Sequence, residues 1–222
     1  MIKPRIFGLF GLTTLLFAAG VVLFFTKAAV FPYKVACPVL CLALSIMLTR
    51  RKMLFPFGAA FILSALGDAM GAKGLFLLQI TCFALAHVAY MCFFVPRARP
   101  TPGIGSLAVV VPLLLFLALC IVPRASVPAE RIGVAVYGVV IAGMLYSVLQ
   151  YRGFCAAGFL CAALLFVFSD SLIAWSRFVG PIPGRTWIVM STYYPAQYLF
   201  YFFAIRTASA RRQSNFRLIT GG

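Results

Sequence analysis

The chain has 222 residues, of which 64% are hydrophobic and only 10% are charged. A soluble domain carries about 25% charged residues, so this composition excludes both a soluble globular protein and a disordered one. The formal net charge of +16 arises from 19 Lys and Arg against three Asp and Glu. Because the bases stand between apolar runs, they indicate membrane topology and contact with anionic membrane lipid, and no nucleic acid partner is expected.

Eight apolar segments, separated by basic, Pro or Gly residues, are compatible with crossing a hydrocarbon core of about 30 Å. They lie at about 6–25, 34–49, 54–72, 74–95, 104–123, 131–149, 153–175 and 187–206, followed by a polar tail over 207–222. The sequence therefore predicts an all-α membrane protein, a single polytopic domain over residues 1–222 built as a bundle of about eight transmembrane helices. The second segment is short, and Pro38 inside it predicts a kink. Only Gly71, Lys73 and Gly74 separate the third and fourth segments, which predicts a tight hairpin.

The basic residues predict the orientation of this bundle. With eight spans both termini fall on one side, which collects twelve of the bases, while the other side holds seven. The seven are Lys27, Lys34, Lys73, Arg124, Arg131, Arg177 and Arg185. By the positive-inside rule we expect both termini in the cytoplasm and location in a bacterial-type inner membrane.

A weak internal symmetry suggests two four-helix repeats. Span three ends in Leu63–Asp68 and span seven in Val167–Asp170, so both end in Ser or Gly followed by Asp. The span after each of them carries a polar residue, His87 or Gln197, shortly before a tyrosine. The alternative is coincidence in a composition so strongly biased.

The three acidic residues are the most informative in the chain. Glu130 stands in a predicted loop and is expected to be solvated, whereas Asp68 and Asp170 lie inside apolar spans. A carboxylate at that depth costs at least about 2.5–3.5 kcal/mol, so both are functional candidates; the alternative is a buried acid that fixes helix register. Asp68 precedes Lys73 by five residues and Asp170 precedes Arg177 by seven. At about 1.5 Å per residue, both acids are expected roughly 7–11 Å below the same membrane edge.

Other polar side chains are expected near that depth. Span eight enters from the same edge and carries Tyr193, Tyr194 and Gln197 in its first turns, and Lys34 stands on that side at the start of span two. If spans three, seven and eight pack together, two carboxylates, two phenols and an amide meet. The alternatives stay open: the tyrosines suit an aromatic belt, Lys34 a snorkelling lysine, and His87, which is deeper, a hydrogen bond between helices.

The inventory of polar residues narrows the chemistry. One histidine excludes a site of three His, and seven cysteines in apolar runs without CxxC argue against both a zinc site and a disulfide framework. There is no G-x-S-x-G motif of a serine hydrolase. A metal ion bound by the two Asp is a possibility that the sequence leaves open but does not require. No metal or cofactor is expected. What remains is acid–base chemistry by two carboxyls, one protonated and one ionised, which suits hydrolysis of an acid-labile bond in a lipid.

Four stretches in order carry a resemblance to a known family. They are Ser64–Asp68, Ala86–Tyr90, Leu165–Ser171 and Thr192–Gln197. In order, spacing and eight-span length they resemble the lysoplasmalogenase (YhhN-like) family over most of the chain. The family's Lys-Pro at the start of span two is altered, since Lys34 is present and the next proline comes later.

The resemblance implies an ether hydrolase of the alkenylglycerophosphocholine or alkenylglycerophosphoethanolamine type. Such an enzyme cleaves the vinyl-ether bond of a lysoplasmalogen, a lysophospholipid, to a fatty aldehyde and a glycerophospho-base, with no protein partner evident. The family's catalytic acids correspond to Asp68 and Asp170, and which is the acid and which the base stays open. Residues expected to orient the acids or hold the substrate are Lys34, Ser64, His87, Tyr90, Ser169, Tyr193, Tyr194 and Gln197. Either Lys34 or Arg177 would receive the phosphate.

The alternative function is a proton-coupled membrane transporter or a lipid-binding bundle that uses the same intramembrane acids. The geometry of the site separates the two. Acids facing one closed, lipid-sized pocket favour an enzyme, and acids along a path between both membrane faces favour a transporter.

Overall fold

The computed structural model describes residues 4–26, 32–99 and 103–220, and in those ranges it contains eight α-helices. They are α1 Pro4–Phe25, α2 Cys37–Leu48, α3 Phe55–Ala72, α4 Phe76–Phe94, α5 Ile104–Phe116, α6 Pro128–Gln150, α7 Ala156–Phe178 and α8 Arg185–Thr220. Short 3₁₀ turns precede α2 and α3, and α5 continues into a π-helical turn, Leu117–Ile121. The predicted all-α bundle of eight helices is confirmed. Two of the bases used for the orientation, Lys3 and Lys27, lie outside the described residues.

Six of the described helical segments are long and apolar enough to cross a membrane, and the chain is an integral multi-pass membrane protein. Helix α2 has 12 residues and rises about 18 Å, which is short for a hydrocarbon core of about 30 Å. Helix α8 has 36 residues, about 54 Å, so the polar stretch after Arg206 continues the helix as far as Thr220. Polar residues in the first turns of α8 make it less apolar than the other long helices.

The predicted kink at Pro38 is wrong. Helix α2 begins at Cys37 after a 3₁₀ turn, so Pro38 stands in its first turn, where a backbone N–H has no helical acceptor to lose. The predicted hairpin between α3 and α4 is present, although α3 continues through Gly71 to Ala72. Gly74 has φ of 73°, a left-handed conformation that glycine adopts without strain, and the Leu75 N–H donates to the Met70 carbonyl at 3.0 Å.

Two glycines let α3 and α4 approach closely. A Cβ atom on Gly67 would lie 3.0 Å from the ring of Phe83 and 3.3 Å from the carbonyl oxygen of Gln79. One turn later, a Cβ on Gly71 would lie 2.6 Å from the Gln79 side-chain nitrogen. This Gly-x-x-x-Gly spacing gives α4 the close contact that small residues provide between membrane helices. It also fixes Phe83, which lies at the candidate site.

We expect Gly67→Ala to lower the free energy of unfolding by about 1–3 kcal/mol, because the added methyl group overpacks the contact with Phe83. Thermal denaturation in detergent measures the effect. Gly105→Ala in α5 is the matched control, since a Cβ there meets no atom within 4 Å and alanine favours a helix. Equal midpoints for the two variants would contradict the close packing of α3 on α4.

A cluster of large, buried aromatic side chains lies in the half of the bundle away from the two acids. Phe57 at the start of α3, Phe93 near the end of α4 and Phe159 at the start of α7 are buried, with ring centroids 4.7–5.9 Å apart. Phe200 of α8 joins them. The end of α3, the start of α4 and the end of α7 therefore form the other half, where the polar residues lie. The predicted four-helix duplication stays a prediction.

Candidate active site

Asp170 of α7 lies at the centre of a hydrogen-bonded group from three helices. The Tyr137 hydroxyl of α6 donates to Asp170 Oδ2 in a short hydrogen bond. His87 Nε2 of α4 lies 3.0 Å from the Tyr137 oxygen and 3.7 Å from Asp170 Oδ2. The Ser169 hydroxyl is bonded to the carbonyl of Phe166 at 2.8 Å and lies 3.4 Å from Asp170 Oδ1. The Asp170 carboxyl is thereby contacted by residues of α4 and α6 as well as by Ser169 of its own helix.

The hydrogen bonds of this group have a defined direction. Because Tyr137 gives its only hydrogen to Asp170, it accepts from His87, which requires the hydrogen of the neutral imidazole on Nε2. His87 is fully buried, and its Nδ1 has no hydrogen-bond partner in the described part of the chain. His87, Tyr137 and Asp170 thus form a hydrogen-bonded chain that ends at the carboxyl.

Asp68 of α3 forms a second polar group with α8. It is 5% exposed, and the Tyr193 hydroxyl donates to its Oδ2 at 2.8 Å. One turn away on α8, Gln197 Oε1 accepts from the Tyr90 hydroxyl at 2.8 Å. Within the described ranges, Gln197 Nε2 and the hydroxyl of the buried Ser64 have no partner. Buried polar atoms are nearly always paired, so these two are available to a bound molecule or water.

Aromatic rings separate the two acids. Phe166 packs edge-on against both His87 and Tyr193, with centroids 4.8 and 5.4 Å away. Phe83 packs edge-on against Phe166 and Tyr193, at 6.1 and 6.0 Å. The spans pack as expected from the sequence, but each acid has its own phenol.

An apolar pocket with an open mouth lies between α4, α5, α6 and α7, and its cavity volume is about 40 Å³. Asp170 and Tyr137 are part of its wall, and Asp68 is not. The wall residues recur three or four positions apart, so each helix offers the pocket one continuous face. They include positions 76, 79, 80 and 83 in α4, 134, 137 and 141 in α6, and 170, 173 and 174 in α7.

The sequence profile of the YhhN family matches residues 30–203 of this chain. That range includes both acids and every residue of the pocket wall. The chain belongs to the YhhN family. Human (Homo sapiens) lysoplasmalogenase TMEM86B is 34% identical over 177 residues, 77% of this chain and 73% of that protein. The rat (Rattus norvegicus) lysoplasmalogenase TMEM86B is 31% identical over 175 residues, 77% and 71% of the two chains. No solved structure matched the chain.

In this YhhN member, two of the expected site residues donate hydrogen bonds to backbone carbonyls. The Tyr194 hydroxyl donates to the carbonyl of Val35 at 2.9 Å, which ties α8 to the turn before α2. The Lys34 ammonium donates to the carbonyl of Thr26 at the end of α1, at 2.9 Å. These contacts tie the end of α1 and the start of α8 to the turn before α2.

Two residues of the pocket wall were not foreseen from the sequence. Tyr137 lies in the middle of a span and not at its edge, which distinguishes it from an aromatic belt. Gln79 is an amide in an apolar helix, three residues after Phe76. Intramembrane depth was the available signal for both, as it was for Asp68 and Asp170.

Glu130 corrects a further expectation. The sequence suggested a solvated loop residue, but α6 begins at Pro128, so Glu130 lies in its first turn. Its Oε1 accepts a hydrogen bond from Arg177 Nη2 at 2.5 Å, which joins the start of α6 to the end of α7.

Proposed function

We propose that this YhhN member is a hydrolase that cleaves the vinyl-ether bond of lysoplasmalogens, releasing a fatty aldehyde and a glycerophosphocholine or glycerophosphoethanolamine. The observation that carries the proposal is Asp170, bonded to Tyr137 and beside His87, on the wall of an otherwise largely apolar pocket. The names of the relatives, lysoplasmalogenases at 31–34% identity, support the same reaction.

The reaction requires one proton donor and one acceptor at the substrate. Protonation of the alkene carbon farther from the ether oxygen gives an oxocarbenium ion, with its positive charge shared by the neighbouring carbon and the oxygen. Water adds to that carbon and loses a proton, forming a hemiacetal. The hemiacetal then breaks its carbon–oxygen bond to the glycerol, which leaves as an alcohol, and the aldehyde is released. One proton is taken up and one returned, so the enzyme is regenerated.

Asp170 is the carboxyl placed to exchange these protons with the substrate. Its carboxylate form would also stabilise the oxocarbenium ion in a pocket that holds little water. The hydrogen bond from Tyr137, whose oxygen is itself bonded to His87, would hold this carboxyl in position and stabilise its ionised form. Asp68 would be the second acid of the reaction, with one acid of the pair holding the proton and the other ionised.

The apolar lining of the pocket suits the vinyl-ether end of an alkenyl chain. Phe83, Leu113 and Ile141 give its inner part an apolar wall for the hydrocarbon, and Gln79 offers an amide to the free glycerol hydroxyl. The vinyl ether, where the hydrocarbon joins the glycerol, would then lie at the level of Asp170.

The same geometry favours a hydrolase over a proton-coupled transporter. The wall of the Asp170 pocket comes from the first two turns of α4, the middle of α6 and the second half of α7, so it extends from one edge of the bundle to its middle. Asp68 stands outside that wall, behind Phe83 and Phe166. A pathway between both faces would need polar residues through the aromatic half as well.

We further propose that both termini are cytoplasmic, because the terminal side holds twelve bases against seven. The pocket then lies in the leaflet facing away from the cytoplasm.

The direct test is to incubate purified protein in detergent with a lysoplasmalogen and measure free aldehyde. We expect one aldehyde for each lysolipid consumed, and none from the analogue with a saturated 1-alkyl ether, which has no alkene to protonate. An analogue with a 1-acyl ester is the second control. Folded protein that releases no aldehyde would overturn the proposal, and fatty acid released from the ester would indicate an ester hydrolase.

A further inference from the structure

An ion pair stands one helical turn beyond the pocket wall, at the membrane edge of α6 and α7. Arg177 Nη2 donates to Glu130 Oε1 at 2.5 Å, and their side chains are 38% and 20% exposed. The Arg177 guanidinium also lies 4.0 Å from the ring centroid of Phe76, which is part of the pocket wall. Glu130, Arg177 and Phe76 together form the rim of the pocket.

The rim is in register with the buried acid. Arg177 follows Asp170 by seven residues in α7, and Glu130 precedes Tyr137 by seven in α6. Seven residues make about two helical turns, so each charged residue shares a helix face with its buried counterpart, about 10.5 Å farther along the axis. Since α6 begins and α7 ends at this edge, the pair Glu130–Arg177 stands directly outward of the pair Tyr137–Asp170.

We propose that the rim binds the zwitterionic head group of the lysophospholipid, with Arg177 on the phosphate and Glu130 on the ammonium group; this rests on the proposed function. A guanidinium matches two phosphate oxygens at once, and a carboxylate is the natural partner of an ammonium. Binding exchanges one ion pair for two and brings no net charge to the membrane edge. The rim therefore selects a neutral zwitterion over a lysolipid that carries phosphate alone, which would leave Glu130 facing a net anion.

The dimensions of a lysolipid agree with this placement. Five single bonds of about 1.5 Å join the ether oxygen to the phosphorus, so the two are separated by roughly 6 Å when extended. Helical side chains point toward the helix N-terminus, which directs Arg177 back toward Asp170 and covers the remaining distance. The ammonium group, four bonds beyond the phosphorus, reaches the level of Glu130.

The test compares two substrates and one ligand that cannot react. The substrates are 1-alkenyl-glycerophosphoethanolamine and 1-alkenyl-glycerol-3-phosphate, which lacks the ammonium group. The ligand is the saturated 1-alkyl ether of glycerophosphoethanolamine, whose Kd is measured by titration in detergent. Arg177→Met removes the phosphate partner but keeps the stem over Phe76, and Glu130→Gln removes only the charge. Arg124→Met is the matched control, because Arg124 lies in the turn before α6, bonded to the Cys120 carbonyl and outside the pocket wall.

We expect Arg177→Met to raise KM about tenfold for both substrates, with kcat little changed, and to weaken the saturated ligand equally, since one charge-assisted contact is worth about that factor. Glu130→Gln should raise KM about tenfold only for the ethanolamine substrate and improve the phosphate substrate. The double variant Glu130→Arg with Arg177→Glu rebuilds the ion pair with its charges exchanged, so binding should stay weak.

A purely structural ion pair would give the opposite pattern. Glu130→Gln would affect both head groups alike, and the exchanged pair would restore binding; either result would overturn the proposal. The experiment distinguishes failure of the rim proposal from failure of the proposed hydrolase function. Wild type without aldehyde release whose binding of the saturated ligand is weakened by Arg177→Met refutes the hydrolase but retains the rim. Wild-type turnover that neither variant alters refutes the rim alone.

Discussion

Asp170→Asn is expected to lower kcat/KM for lysoplasmalogen by roughly 10²–10⁴-fold, the range that a positioned general acid or base contributes. Asparagine has nearly the same shape, and its Oδ1 can still accept the hydrogen bond from Tyr137. The amide cannot deliver a proton to the alkene or carry the negative charge that stabilises the oxocarbenium ion. The change therefore removes the proposed chemistry and leaves the pocket wall in place. Aldehyde release by the purified variant, with thermal denaturation as the check on folding, measures the effect.

Ser171→Ala serves as the control for this prediction. Ser171 is the next residue of α7 and also part of the pocket wall, but its hydroxyl donates to the Val167 carbonyl at 2.8 Å, on its own helix. Its loss should leave aldehyde release close to that of wild type. If Asp170→Asn retained wild-type turnover, the carboxyl on the pocket wall would not be the reacting group, and another residue would have to protonate the alkene.

The bundle could be predicted from the sequence because membrane helices follow from local composition. A helix satisfies its own backbone hydrogen bonds, so an apolar run of sufficient length forms one in lipid whatever its neighbours are. The details that failed depend on where a helix begins. Pro38 was expected inside α2 and Glu130 before α6, and a shift of a few residues placed both in a first turn.

The part of the site that could be predicted from the sequence is the depth of its residues in the membrane. Asp68 and Asp170 were recognisable because acids are costly inside a membrane, and the order of the spans placed them in the same half of the bundle. Which phenol meets which acid depends on helix rotation and packing. Tyr137 meets Asp170 across 33 positions of sequence, and Tyr193 meets Asp68 across 125. The residue pattern within a single helix cannot predict contacts between residues of two different helices.

Asp68→Asn separates a catalytic role of the second acid from a structural one. In a structural role, the carboxyl only accepts the hydrogen bond of Tyr193, which asparagine can also do, so both stability and turnover would stay near wild type. In the proposed reaction, the pair of carboxyls must hold one exchangeable proton, and the neutral amide abolishes that property. We therefore expect a loss of about 10²–10⁴-fold in kcat/KM with an unchanged denaturation midpoint.

Tyr193→Phe is the complementary variant. It leaves the carboxyl of Asp68 but removes its hydrogen-bond donor, so the buried acid loses a partner worth about 1–3 kcal/mol of stability. Its denaturation midpoint should fall, while its turnover should fall less than that of Asp68→Asn. Asp68→Asn should therefore lower turnover more than stability, because it removes the carboxyl. Tyr193→Phe should lower stability more than turnover, because it removes only the hydrogen-bond donor to that carboxyl. A variant Asp68→Asn with wild-type aldehyde release would leave Asp170, Tyr137 and His87 as the whole reacting group.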